Sequence, residues 1–231
     1  MDGCRHSKKM MKNYWQGFLY RKSVTAGLFC LLFSIVTSVH ASTTILVMGD
    51  SLSAEYGLTR GSGWVRLLEE QLQKQGSSWS VFNASISGET TSGGLTRLPS
   101  LLQQKKPALV LLELGANDAL RGLSIDETEK NLRKMIQLSK QSGAKVLLFG
   151  IQIPPNYGQE YTKRFKEIFP KLAKQENIEL LPFFMQGLAA QRDLFQADNI
   201  HPNEKAQALL FNNVRGAMRP YQYLLKTNPS K

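Results

Sequence analysis

The chain alternates short, almost continuously apolar runs with longer segments whose apolar residues recur at helical spacing. This alternation is typical of an α/β domain with a parallel sheet, because helices that connect parallel strands cover both faces of the sheet. Five strands are predicted, at residues 44–48, 80–83, 108–114, 145–150 and 178–181. We therefore expect a flavodoxin-like three-layer α/β/α fold with a five-stranded parallel sheet in the strand order 2-1-3-4-5.

Helical patterns occupy the stretches between these strands. Four helices are predicted, at residues 64–72, 124–139, 161–175 and 204–219. A capping box of Ser124 and Glu127 opens the second, and Pro202 is expected in the first turn of the last. Lys105 and Lys106 are interpreted as a solvated helix end, and residues 227–231 as a frayed tail.

Residues 1–41 have the pattern of a secretory signal peptide. A basic region precedes the apolar run 24–36, and Val39-His40-Ala41 supplies a small-x-small cleavage site. We predict cleavage after Ala41, one domain over residues 42–231, and a periplasmic or secreted protein. An N-terminal membrane anchor is the alternative, although the apolar run is shorter than the roughly 20 residues of a spanning helix. Met1, Met10 and Met11 are all candidate starts.

Removal of this leader changes the charge and the available chemistry. The leader holds six of the 29 basic residues and one of the 18 acidic residues, so the net charge falls from +11 to +6. No cluster of arginines and aromatic residues remains that would predict nucleic-acid binding. Both cysteines, Cys4 and Cys30, lie in the leader, which leaves no disulfide and no thiolate metal site. We predict a monomer without metal, cofactor or stable membrane span.

Small and polar residues cluster where the predicted strands end. The carboxyl ends of parallel strands share one edge of the sheet, and ligands bind at that edge. Four segments there carry candidate functional groups: Gly49–Ser53, Asn83–Thr90, Gly115–Asp118 and, before the last helix, Asp198–Pro202. The chemistry of the protein is expected in these loops.

One histidine, His201, remains outside the leader. A serine hydroxyl becomes a nucleophile only when a base removes its proton, and histidine, with an ordinary pKa of about 6.5, suits that task. Asp198 lies three residues earlier, so that its carboxylate can turn back and accept from the ring N–H. Ser51 leads from the first strand into a turn at the sheet edge. We therefore predict a catalytic triad of Ser51, His201 and Asp198.

Attack on a carbonyl group creates negative charge on oxygen, which requires hydrogen-bond donors. The backbone N–H groups of Ser51 and Gly88 and the side-chain amide of Asn117 are the candidate donors. Gly88 has no Cβ, which lets the backbone approach a substrate closely. In the predicted strand order, Gly88 and Asn117 lie on either side of Ser51. Asp50 is expected to have a structural role.

These four segments resemble the four signature blocks of the SGNH/GDSL hydrolases, in the same order. Across residues 44–220 the chain is most similar to the periplasmic acyl-CoA thioesterase I/lysophospholipase/arylesterase enzymes of that family, for example at Asn83–Thr90 and Leu181–Met185. The resemblance implies the SGNH hydrolase fold and the triad and oxyanion hole named above. It also implies that small-molecule acyl esters and thioesters are the substrates: acyl-CoA, lysophospholipids and aryl or alkyl esters.

The resemblance further implies two features of substrate binding. The segment after Gly88 is expected to move when substrate binds. One loop is expected to line an acyl groove: Ile151, Gln152, Ile153 and Pro154. Three departures from the family pattern, Ala116, Glu55 and Gln152, stand where a glycine, a small residue and an arginine are common. Gln152 in place of that arginine removes a charge near the substrate entrance, so the head-group preference is the property that this departure affects most.

Two other functions remain open at this stage. A carbohydrate O-deacetylase built on the same blocks would need a small acetyl pocket and a polar sugar-binding surface. A non-catalytic binding module would keep the fold without turnover. The chain has no Gly-x-Ser-x-Gly motif, so the α/β-hydrolase architecture is not predicted.

Overall fold

A five-stranded parallel sheet forms the middle layer of the structure, a computed structural model that describes residues 44–188 and 190–222. Its strands are β1 (Thr44–Gly49), β2 (Ser80–Asn83), β3 (Leu109–Glu113), β4 (Lys145–Phe149) and β5 (Glu179–Leu181). They lie in the order β2-β1-β3-β4-β5, and every neighbouring pair is parallel. The predicted fold class and strand order are confirmed. The predicted leader, its cleavage site and the tail 227–231 lie outside the described residues.

Six α-helices occur in the described residues, and four of them correspond to the predicted segments. They are α1 (Trp64–Lys74), α2 (Thr91–Lys105), α3 (Ala116–Leu120), α4 (Ile125–Gln141), α5 (Gln159–Glu176) and α6 (Glu204–Ala217). Ser124 caps α4 as predicted, since its side chain accepts from the Glu127 N–H at 3.3 Å.

The predicted place of Pro202 in the first turn of the last helix is wrong. Helix α6 begins two residues later, because the side chain of Asn203 accepts from the Lys205 N–H at 3.0 Å and caps the helix. Pro202 instead forms an antiparallel bridge with Phe195. This bridge closes the loop that carries Asp198 and His201.

The periodicity predicted neither the short helix α3 nor helix α2, although Lys105 is the last residue of α2, as expected of a helix end. Gly93, Gly94 and Pro99 all lower its intrinsic helix propensity. Packing explains why the helix forms: a Cβ at Gly94 would lie 2.5 Å from Leu114, so glycine lets the helix approach the sheet closely.

Two apolar cores fill the space between the sheet and its helices. Successive residues of a strand point to opposite faces, so Leu46 and Met48 pack with α2, α4 and α5, whereas Ile45 and Val47 pack with α1 and α6. All four side chains are fully buried. The three predicted layers are therefore present. No helix within the described residues is long and apolar enough to cross a membrane.

Candidate active site

The structure brings Ser51, His201 and Asp198 into one chain of hydrogen bonds. Ser51 follows β1, and His201 lies 150 positions later in the loop before α6. The Ser51 Oγ is 2.9 Å from Nε2 of His201, and Nδ1 of the same ring is 2.6 Å from Oδ2 of Asp198. This geometry is the one that the sequence predicts for a serine activated by a histidine.

Asp198 organises its own loop as well as the imidazole. Its Oδ1 accepts from the backbone N–H groups of Ile200 at 2.9 Å and His201 at 3.0 Å, which leaves Oδ2 to accept from the ring. Burial alone would raise the pKa of Asp198, but these hydrogen bonds outweigh it and lower the pKa to about 2. An ionised Asp198 holds the proton on Nδ1, so that Nε2 is free to accept from Ser51.

Asp50 is a buried residue that stabilises the turn carrying Ser51. The side chain is 1% exposed, and its two oxygens accept from the Leu52 N–H and from Nδ2 of Asn117, both at 3.0 Å. Burial raises the pKa of Asp50 to about 6, against the opposing effects of the Leu52 N–H, His201 and Asn117. The expected structural role of Asp50 therefore includes a direct link to a candidate oxyanion donor.

Glu113, at the end of β3, is a second buried acid that sequence reasoning missed. It lies opposite Gly49 in the sheet, and its Oε2 accepts from the Ser53 hydroxyl at 2.8 Å and from the Asp50 N–H at 3.2 Å. Complete burial, together with nearby Asp50, raises its pKa well above the usual value. A Cβ at Gly49 would lie 2.6 Å from Oε2, so a glycine is required there.

Two of the three predicted oxyanion donors are free within the described residues. The backbone N–H groups of Ser51 and Gly88 have no hydrogen-bond acceptor there. Gly88 has a φ of +77°, a conformation that glycine adopts without strain. Asn117 differs from expectation, because its Nδ2 donates both to Asp50 and, at 3.0 Å, to the carbonyl of Glu89. It can reach an oxyanion only by sharing or exchanging one of these bonds.

An apolar cavity of about 470 Å³ opens beside Ser51. All four residues of the predicted acyl-groove loop line it, as do Asn117 and Ala116, whereas Gly88 lies outside its lining. Sequence reasoning missed several further lining residues: Leu120, Phe183, Met185, Phe195 and Ile200. Phe183 and Met185 follow β5, so the rule that ligands bind at the carboxyl ends of strands would have found them.

A larger cavity, of about 680 Å³, lies between α1 and α6 and includes Gln71, Phe211 and Arg215. It contains none of the hydrogen-bonded groups around Ser51. The smaller cavity is therefore the candidate substrate site. Among the described residues, no group of three or more His, Asp or Glu side chains could hold a metal ion.

The loop after Ser51 places an aromatic ring on His201. The rings of Tyr56 and His201 have centroids 4.5 Å apart and planes inclined by 41°. Gln196 ties the two backbones together, because its side chain donates to the Tyr56 carbonyl and its own N–H donates to the His201 carbonyl, both at 2.8 Å.

Glu55, one of the departures from the family pattern, holds this loop in place. Its φ is +59°, and its carboxylate accepts from the N–H groups of Gly61 at 2.9 Å and Gly63 at 2.7 Å. The larger side chain therefore has a structural use at this position.

Comparisons with known proteins agree with this arrangement. Residues 47–209 match the model of the GDSL-like lipase/acylhydrolase family. The chain is 47% identical over 191 residues to esterase TesA of Pseudomonas aeruginosa, covering 83% of this chain and 95% of that protein. It is 43% identical over 192 residues to thioesterase 1/protease 1/lysophospholipase L1 of Escherichia coli K12, covering 83% and 91%.

A solved structure supports the same likeness. The psychrotrophic esterase EstA from Pseudoalteromonas sp., inhibited by monoethylphosphonate, superposes with a TM-score of 0.75 at 42% identity, covering 78% of this chain and 99% of that one.

The α/β/α fold and the alignment of serine, histidine and aspartate are those of a serine hydrolase. The chain belongs to the GDSL-like lipase/acylhydrolase family. The predicted membership of the SGNH/GDSL hydrolases is confirmed.

Proposed function

We propose that this protein hydrolyses acyl esters and thioesters through an acyl-enzyme on Ser51. The observation that carries the proposal is the continuous hydrogen-bonded chain from Asp198 through His201 to Ser51, at the mouth of an apolar cavity. The names of the relatives, an esterase, a thioesterase/lysophospholipase and an arylesterase, support esters, thioesters and lysophospholipids as the substrates. Acyl-CoA is the thioester that the resemblance of the sequence implies.

The reaction follows from the positions of the three side chains. Nε2 of His201 takes the Ser51 proton while Oγ attacks the carbonyl carbon of the substrate, and the tetrahedral intermediate forms. His201 then gives this proton to the departing alcohol or thiol, which leaves an ester on Ser51. Water attacks that ester as His201 removes its proton, and the proton returns to Oγ when the carboxylic acid departs. Asp198 stays ionised throughout and stabilises the charged imidazole.

The negative oxygen of the intermediate is stabilised by the N–H groups of Ser51 and Gly88 and by the Asn117 amide. Because Asn117 already donates to Glu89, we propose that the oxyanion takes the place of the Glu89 carbonyl. Formation of the oxyanion is thereby coupled to the segment that follows Gly88. This coupling agrees with the expectation that the segment moves on substrate binding.

The acyl chain occupies the cavity beside Ser51. Its walls are mainly apolar, and Gln152 is the polar residue in the acyl-groove loop. An acetyl group would leave most of this volume empty, and the walls offer few partners for sugar hydroxyls. These properties favour an acyl hydrolase over a carbohydrate O-deacetylase.

Labelling with a fluorophosphonate tests whether Ser51 is the nucleophile. We expect the wild-type protein to be labelled, Ser51→Ala to remain unlabelled, and Ser87→Ala, which removes an exposed serine at the same sheet edge, to be labelled normally. A folded wild-type protein that takes no label would overturn the proposal and support a binding module.

The acyl-chain preference is tested with p-nitrophenyl acetate, butyrate, octanoate and laurate. We expect kcat/KM to be higher for the longer chains than for acetate, because they bury more apolar surface in the cavity. Activity on acetate alone would favour the deacetylase.

We also propose that the protein is exported, cleaved after Ala41, and works as a monomer in the periplasm or outside the cell. N-terminal sequencing of the exported protein is expected to begin at Ser42. An intact N-terminus in the membrane fraction would support the anchor instead. Sedimentation velocity measures the oligomeric state.

A further inference from the structure

Five large apolar side chains are between 41% and 49% exposed, and they are the only ones so exposed among the described residues: Tyr56, Ile86, Leu123, Tyr157 and Ile200. Each lies in a different segment of the chain: Tyr56, Ile86 and Tyr157 in those that follow β1, β2 and β4, Leu123 between α3 and α4, and Ile200 in the loop before α6. We call these five residues the apolar rim. Large apolar residues that concentrate around one site mark an interaction surface.

Two members of the rim lie on the His201 side of the cavity. The ring of Tyr56 packs against the imidazole, and Ile200, the residue before His201, lines the cavity itself. Nearly half of each side chain is nevertheless exposed. They therefore form an apolar border beside the nucleophile.

Two other members are close in sequence to residues that line the cavity. Leu123 follows Leu120 by three residues and Tyr157 follows Pro155 by two, and both Leu120 and Pro155 line the cavity. The hydroxyl of Tyr161 donates to the Leu123 carbonyl at 3.2 Å and so fixes the backbone at Leu123.

The fifth member belongs to the loop after β2. The backbone N–H of Ile86 donates to the carbonyl of Gly49 at 3.1 Å, two positions before Ser51. Each member of the rim therefore lines the cavity, contacts His201, is close in sequence to a lining residue or lies in a loop that is bonded to the strand before Ser51.

We infer that the apolar rim docks the protein on a lipid surface, so that an acyl chain passes from the lipid aggregate into the cavity without crossing water. The inference rests on the proposed acyl hydrolase function. A lipid surface fits better than a second protein because Ile200 lines the cavity and Tyr56 contacts His201, so that a folded partner on the rim would block access to Ser51. A lipid surface, in contrast, supplies the apolar chain that the cavity accepts.

Vesicle binding tests the inference without turnover. In a Ser51→Ala background, the triple variant Ile86→Gln, Leu123→Gln, Tyr157→Gln is compared with the parent by co-sedimentation with phosphatidylcholine vesicles. We expect the partition coefficient to fall about tenfold or more, because three apolar contacts with the lipid are lost. Lys145→Gln, at the opposite edge of the sheet, is the matched control and should bind as the parent does. Equal binding by the triple variant, or no binding by the parent, would overturn the inference.

Activity gives the second measurement, on wild-type enzyme and on the triple variant with Ser51 intact. We expect kcat/KM for lysophosphatidylcholine micelles to fall about tenfold, while kcat/KM for soluble p-nitrophenyl butyrate stays within about twofold. Equal losses on both substrates would overturn the inference, because the rim would then act through the site or through folding. Thermal unfolding distinguishes these last two causes.

Two outcomes separate this inference from the proposed function and from self-association. A wild-type protein inactive on every ester defeats the proposed function, whereas the vesicle experiment still decides the role of the rim. Sedimentation velocity tests for self-association. If the wild-type protein is a dimer and the triple variant is a monomer, the rim is a contact between copies and the inference is overturned.

Discussion

Tyr56 packs its ring against the imidazole of His201, and Gln196 hydrogen-bonds to the backbones of both residues. His201 is therefore held at Nδ1 by Asp198 and contacted by the Tyr56 ring, whose plane is inclined by 41° to that of the imidazole. If His201 takes the Ser51 proton as proposed, we expect the electron-rich ring of Tyr56 to stabilise the positive charge of the imidazole.

We expect Tyr56→Ala to lower kcat on a soluble ester about two- to fivefold, the size of a partly exposed cation–π contact. Tyr56→Phe keeps the ring and should stay near the wild-type rate. The two variants are compared in steady-state assays at saturating substrate. Equal rates for Ala and wild type would mean that the contact does not contribute to turnover.

Asn117→Ala should lower kcat about 10²- to 10³-fold, the typical loss for one oxyanion donor. Circular dichroism and thermal unfolding should report a retained fold. A nearly normal rate in the folded variant would remove Asn117 from the oxyanion hole, and would fit an amide that stays bonded to Asp50 and Glu89.

Asp198→Asn separates the two roles of this side chain, which are to hydrogen-bond the backbone of its own loop and to orient the imidazole of His201. The new amide oxygen can still accept from the Ile200 and His201 N–H groups, which preserves the turn. Its NH₂ group, however, cannot accept from Nδ1, so the imidazole turns to the wrong tautomer and kcat should fall about 10³- to 10⁴-fold. Stability at pH 7 should change little by comparison. A loss of activity in proportion to unfolding would contradict this separation.

Asp50 makes folding depend on pH in a defined direction. Burial raises its pKa from 3.8 to about 6, which means that the folded state favours the protonated carboxyl group. The contribution of Asp50 to the free energy of unfolding is therefore complete below about pH 4 and is lost as the pH rises through about 6. This loss amounts to about 3 kcal/mol.

Asp50→Asn cannot ionise and avoids that loss. The Tm of the variant relative to wild type should therefore be more favourable at pH 7 than at pH 4, as measured by thermal unfolding at both values. The same difference at both values would show that Asp50 does not titrate in this range.

Turnover should also rise between pH 5 and 8, because only a neutral imidazole can accept the Ser51 proton. Initial rates on a soluble ester with a leaving group corrected for its own ionisation measure this profile. A flat profile would argue against His201 as the base.

The strands and the meeting of Ser51, His201 and Asp198 could be predicted from the sequence because each has a strong local signal. Continuous apolar runs mark buried parallel strands, and His201 is the one histidine outside the leader. Helix α2 has no such signal, since Gly94 and Pro99 oppose helix formation until tertiary packing compensates.

The features of the site that could not be predicted from the sequence are contacts between loops that are distant along the chain. The ring contact of Tyr56 with His201 and the double hydrogen bonding of Asn117 depend on how loops from different strands meet. The sequence places Glu113 near the end of a predicted strand and gives no sign of a special role. Its burial against Ser53 follows from the register of β1 with β3.

Asp198 and His201 are joined by hydrogen bonds that span four consecutive positions, whereas the partner of their imidazole lies 150 positions away. The proposed acid–base pair is therefore a local unit that a short loop can assemble, but Ser51, the proposed nucleophile, joins it only when the first strand and the last helix are docked. Denaturant that loosens α6 from β1 would silence the enzyme while most of its secondary structure persists. Catalytic rate is thus a more sensitive gauge of native tertiary order in this molecule than its far-ultraviolet spectrum.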